Sequence, residues 1–134
     1  MNRSHEAARA LMKKAKGDRH ACHRLLDDPL TPAWIVGFHA QQAVEKAIKA
    51  VLASASVEFP RTHNLTMLVE LLRKNNLSAP PNEEELAVLT PFGTVLRYDD
   101  LLPEEDLPLD RTRAAACVDQ VLSWAESSLP LPPS

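Results

Sequence analysis

Glycine is nearly missing from this chain, with three isolated residues among 134. That excludes a phosphate-cradling Walker loop and a dinucleotide-binding glycine fingerprint, and no nucleophile elbow stands in their place. Cysteine is rarer still: Cys22 and Cys117 are too few for a disulfide framework and lie on helix-like segments, which fits reduced, partly buried thiols. The Ser and Cys residues have no visible base beside them, so nucleophilic catalysis has no support. His20 and His23 would share one side of a helix, but no further cluster with ligand spacing completes a metal set, and neither a metal nor another cofactor is expected. Runs that alternate apolar and polar residues are also missing, and with them any convincing half-buried strand. No stretch approaches the roughly 18 consecutive apolar residues of a membrane span. The N-terminal MNRSHEAARALMKKAKGDRH mixes charge and alanine without the apolar centre of a secretory leader, so a cytoplasmic protein off the membrane is expected.

What remains is helix. With 45% hydrophobic residues the chain can bury a core, and the reading is one all-α domain over residues 1–129 with a proline-rich tail at 130–134. A first helix is expected over about 4–26, where Asp-Asp-Pro ends it. Thr31 as N-cap and Pro32 at the first turn open a second that runs to about 54. The third spans about 64–75, with Leu65, Leu68, Leu71 and Leu72 on one side. Asn82 with Glu85 reads as a capping box for the fourth, which breaks near Pro91 and Gly93 before a short piece ending near Tyr98. The acidic stretch 99–109 is a loop, and Asp110 caps a fifth helix that ends near Ser128. Short early connections favour antiparallel neighbours, hence an antiparallel up-and-down bundle of four to five helices.

Charge is unevenly spread. Residues 1–74 carry 12 Lys/Arg against 7 Asp/Glu, and residues 75–134 carry 3 against 11. Two faces that neutralise each other in the folded bundle account for this, and an anionic partner is the other reading.

The second helix is the most informative. One half-cylinder carries Val36, Gly37, Ala40, Ala43, Val44, Ala47, Ile48, Ala50 and Val51, small enough to admit a close neighbour. The other carries His39, Gln41, Gln42, Glu45, Lys46 and Lys49 among Trp34, Ile35, Phe38 and Leu52. His39, Gln42, Lys46 and Lys49 fall within about 80° of arc and so form one stripe. An imidazole, an amide and two lysines beside two aromatics can hold a phosphate and stack a base. A plain solvated face, helped by a Glu45–Lys49 pair at i, i+4, explains the same residues.

Asp18 lies in phase with the apolar stripe of the first helix, where a carboxylate needs a cationic partner; Lys46, Arg97 and His63 are the candidates, unless the register drifts and leaves it at the surface. His63 stands at a helix start and can serve local structure alone. Arg97 and Tyr98 can grip a phosphate and a ring, or clip one end of the bundle.

Three strings in this order, FHAQQAVEKAIKAVL at 38–52, FPRTHNLTMLVELL at 59–72 and LRYDD at 96–100, resemble the HEPN domains, helical bundles of higher eukaryotes and prokaryotes. The resemblance implies an antiparallel bundle, frequent homodimerisation, pairing with small nucleotidyltransferases in toxin–antitoxin fashion, and a nucleotide-binding or RNA-associated role. The family's ribonucleases carry an Arg, then four to six residues, then a His. No histidine of this chain (5, 20, 23, 39 or 63) has an arginine at that spacing; Arg19 falls one residue short of reaching His23. The expectation is therefore a non-catalytic domain that binds a nucleotide or RNA in a groove formed by His39, Gln42, Lys46, Lys49, Arg97, Tyr98 and Asp18, as accessory to a separate nucleotidyltransferase. A metal-independent ribonuclease with a rearranged set of Arg97, His63 and Lys46 is one alternative. A pure protein-interaction module is the other.

Overall fold

The computed structural model describes residues 3–94 and 108–130. Among these residues five α-helices follow one another: α1 (Arg3–Leu25), α2 (Ala33–Ser54), α3 (Leu65–Lys74), α4 (Glu83–Leu89) and α5 (Arg111–Ser128), and a 3₁₀ turn, Thr90–Gly93, continues α4. Among the described residues there is no strand. The fold is an all-α helical bundle.

The chain's local chemistry sets the ends. After α1, the Asp28 carboxylate accepts hydrogen bonds from the Leu30 amide (2.9 Å) and the Thr31 hydroxyl (2.9 Å), so Thr31 is drawn into this turn and Pro32 occupies the cap position of α2. Asn64 caps α3 by accepting from the Met67 amide, and Asp110 caps α5 by accepting from the Arg113 amide. The capping box at Asn82 does not form. Asn82 sits in the left-handed region (φ 62°), which turns its side chain away from the helix to donate to Gln120, while Glu85 pairs with Arg113 at 2.7 Å. The break at Pro91 is present. Proline has no N–H to give, and the Thr90 hydroxyl donates to the Leu86 carbonyl while accepting the Leu65 amide, which ties the 3₁₀ turn to the start of α3.

Helix α2 is the axis of the molecule and touches every other helix. Val36, Ala40, Ala43, Val44, Ala47 and Ile48 are fully buried, and small side chains on that side let the neighbours close in. Pairings fix the directions. Ser4 meets Ser56, and Asp18 meets His39 and Lys46, so α1 and α2 run antiparallel. Lys16 meets Glu126 and His23 meets Asp119, so α5 is antiparallel to α1 as well. At the end shared by all three, the Arg111 guanidinium donates to the carbonyls of Leu26, Asp28 and Thr31. The connection after α2 turns back alongside it, bringing Phe59 to Lys49 and His63 to Glu45.

Close packing explains two of the three glycines. A Cβ on Gly37 would lie 2.4 Å from the Phe92 ring, and one on Gly93 would lie 2.8 Å from the Gln41 amide. The 3₁₀ turn is thereby seated directly on α2.

Candidate functional site

Two carboxylates organise the polar side of α2, one from each flank. On the α1 flank, Asp18 accepts from His39 Nδ1 at 3.0 Å and from Lys46 Nζ at 2.6 Å. Its side chain is 13% exposed. Burial alone would raise its pKa, and the hydrogen bonds from His39 and Lys46, aided by the lysine charge, outweigh that and hold the carboxyl below its ordinary range. Of the candidate partners for Asp18, Lys46 is in place. His39, one helical stripe away, is the partner that the sequence reading did not pair with it, although both lie within reach across an antiparallel interface.

On the other flank stands Glu45, 6% exposed, on the edge of α2 covered by the returning segment. Its Oε1 accepts from Gln41 Nε2 (2.9 Å) and His63 Nδ1 (2.8 Å), and its Oε2 accepts from Lys49 Nζ (2.9 Å). Burial again works to raise the pKa, and the three donors with the Lys49 charge bring it below the usual glutamate range. Gln41 is fully buried; its Nε2 also reaches the His63 carbonyl at 2.9 Å, and its Oε1 accepts from Gln42.

Here the structure corrects the two-faced reading of α2. Gln41, Glu45 and Leu52 belong to the interior and not to the polar half-cylinder. The reason is the segment 55–64 with the 3₁₀ turn, which covers that edge and supplies His63 and Gly93 as neighbours. A periodicity that sees only one helix cannot register a cover from elsewhere in the chain.

Between the two carboxylates runs the remaining stripe: Ile35, Phe38, His39, Gln42, Lys46 and Lys49, every one half-buried. Lys46 is 25% exposed and Lys49 only 13%. Neither lysine waves in solvent. The strip of α2 that holds them, termed the furrow, runs between α1, whose Asp18 takes Lys46, and the 59–63 segment, whose Phe59 ring centre stands 5.5 Å from Lys49. Phe38 meets the His39 imidazole edge to face at 5.5 Å. Farther along the helix, the Trp34 indole N–H is buried with no hydrogen-bond partner among the described residues.

The arrangement has definite chemical capacities. A lysine ammonium has three donors, and Lys46 commits one of them to Asp18, leaving donors for an anion. Each imidazole turns Nδ1 to a carboxylate and has no partner at Nε2 among the described residues, so each carboxylate orients its ring as a positioned hydrogen-bonding group. Among the described residues, no group of three or more His, Cys, Asp or Glu could hold a metal ion, and no helix is long and apolar enough to cross a membrane. His20 and His23 stand at the surface, and His23 is taken by Asp119. Of the residues singled out in the sequence, His39, Gln42, Lys46, Lys49 and Asp18 come together in or beside the furrow, and His63 borders it through Glu45. Arg97 and Tyr98 lie outside the described residues.

Comparison with known proteins agrees with the three strings in the sequence. The family model for the HEPN domain matches residues 8–128. No match to a curated protein or to a solved structure was found.

Proposed function

The chain belongs to the HEPN domain family, and from that premise we propose that it binds a nucleotide or RNA in the furrow along α2 without catalysing a reaction, as accessory to a separate nucleotidyltransferase. Family membership suggests a nucleotide- or RNA-related or toxin–antitoxin-type role; the specific task is our reading. The observation that carries it is the half-buried stripe of His39, Gln42, Lys46 and Lys49, held in place by Asp18 and Glu45. Cations fixed by buried partners need no ordering when an anion arrives, which lowers the entropic cost of binding. Phe38 beside His39 offers the flat apolar surface that a base requires. The lack of an Arg with a His four to six residues beyond it supports the non-catalytic part. Homodimerisation, toxin–antitoxin pairing and a cytoplasmic location belong to the same proposal.

Thermal shift with a panel of nucleoside mono- and triphosphates tests it. Wild type should be stabilised by at least one member, and a Lys46→Ala/Lys49→Ala variant should lose that response. Because this variant strands two carboxylates, a second one, Asp18→Asn/Lys46→Met, removes one charge pair as a unit and keeps the fold testable. Unchanged nucleotide responses in both would end the furrow reading. Co-expression with a nucleotidyltransferase, followed by gel filtration, tests the partnership.

One observation favours a second reading. Two imidazoles, each with Nδ1 on a carboxylate and Nε2 without a partner among the described residues, have the orientation that general acid and base groups need. Of the suggested ribonuclease set, His63 pairs with Glu45 and Lys46 with Asp18, and Arg97 lies outside the described residues. Metal-free cleavage of RNA, lost on His63→Ala or His39→Ala, would favour this reading over the binder.

A further inference from the structure

Helix α1 is two-sided in a way that the furrow does not use. At about 100° per residue, Arg9, Lys13, Lys16, His20, His23 and Arg24 occupy a single arc of roughly 100°, and from Arg9 to the end of the helix no other residue type falls on it. All six are exposed. Asp18, the acid of this stretch, lies on the opposite side of α1, facing α2. His5 extends the row by one turn, to a length of about 30 Å. Glu126 and Asp119 of α5 border one edge, at 3.4 Å from Lys16 and 2.8 Å from His23, and leave Lys13, His20 and Arg24 facing outward. A groove of about 560 Å³ runs along the first half of the row, with Met12, Ala8 and Leu129 as its apolar floor.

We infer that this row is a second binding face, which takes the phosphate backbone of a single-stranded RNA. Lysine and arginine charges interleaved with imidazole hydrogen-bonding groups every three or four residues over several helical turns match a polymer whose charges also recur at short intervals. A mononucleotide has no use for a track this long. The inference rests on the proposal that the protein binds a nucleotide or RNA, and it specifies the polymer as the ligand. It also assigns separate tasks: α1 holds the backbone by charge, and the furrow on the other side of Asp18 receives one nucleotide.

The test is fluorescence anisotropy with a labelled single-stranded RNA of 12 nucleotides over a series of salt concentrations, beside thermal shift with the mononucleotides. Lys13→Glu/Arg24→Glu should weaken RNA binding at least tenfold and reduce the slope of log K against log salt by about 1.4, the share of two phosphate contacts on a single strand. The thermal response to mononucleotides should not change. Lys13→Gln/Arg24→Gln, which adds no negative charge, should show the same trend more weakly. RNA affinity within twofold of wild type in both variants overturns the inference. So does a polyglutamate peptide that binds wild type as tightly as the RNA, since the row would then serve an acidic protein segment. If RNA binding follows the α1 charges while mononucleotides shift neither wild type nor variants, the inference stands and the furrow reading alone fails.

Discussion

Replacing Glu45 by Gln keeps the shape of the side chain and removes its charge, and the structure gives the cost. The carboxylate accepts from Gln41, His63 and Lys49, all at 2.8 to 2.9 Å, while 6% exposed. The amide that replaces it has one acceptor oxygen, so at least one of the three donors faces an NH2 group. Breaking one side of a buried ion pair costs about 3–5 kcal/mol. Lys49 keeps 13% exposure and an aromatic neighbour, so part of its charge stays solvated and about 2–4 kcal/mol is the reasoned figure. Urea denaturation should show this as a lower midpoint at unchanged slope. The companion measurement is Lys49→Met alone and combined with Glu45→Gln. Once the uncompensated ammonium is gone, the pair should cost at least about 1 kcal/mol less than the two single changes added together. A Glu45→Gln cost below about 1 kcal/mol, or strict additivity, would refute the claim that this carboxylate anchors the furrow.

The same two carboxylates set the acid limit of the fold. Both Asp18 and Glu45 titrate below their ordinary values of 3.8 and 4.5, so their stabilisation is complete above those values and is lost as pH falls through the lower, folded-state ones. Urea midpoints measured from pH 6 to pH 3 should fall below about pH 4, more shallowly in Glu45→Gln; an equal fall in both would count against Glu45. Gly17 and Gly37 should respond in opposite directions to alanine. Gly17 is exposed in mid-helix with open space around it, so Gly17→Ala should stabilise by about 0.5–1 kcal/mol, whereas Gly37→Ala drives a methyl into the buried Phe92 ring and should cost about 1–3 kcal/mol. Thermal unfolding of the two variants checks this, and similar shifts in one direction would disprove it. Burial pushes the Cys22 thiol up to about 11 and Cys117 up to about 12, helped by Asp119 and Glu85 respectively, so a thiol reagent at pH 8 should label both only in denaturant. Rapid labelling of the native protein would show that one of them is open to solvent.

Much of this molecule was readable from local pattern. The alanine side of α2, the proline break after α4 and the Asp110 cap depend on neighbours in sequence, and each lies where the pattern puts it. The need for a cation at Asp18 was also legible, because a carboxylate in phase with apolar residues announces a buried charge. What escaped depends on distant cover. Gln41 and Glu45 are polar by type and sit on the rim of the polar side, so only the return of residues 55–64 makes them interior. The signal was faint: both stand on the same edge of the helix as Leu52, which is fully buried. Asn82 misled for a different reason, since a positive φ removes the side chain from the capping position that its spacing with Glu85 suggested.

Arg111 has a consequence for the order in which the molecule assembles. Its guanidinium completes the turn between α1 and α2 from more than 80 positions further along the chain. A polypeptide emerging from the ribosome, amino end first, can pair its first two helices early, yet the carbonyls of Leu26, Asp28 and Thr31 go without their arginine donor until α5 is made. The final helix thus closes the bundle like a latch, and a ribosome-bound chain stopped before residue 111 should hold a hairpin whose turn still frays.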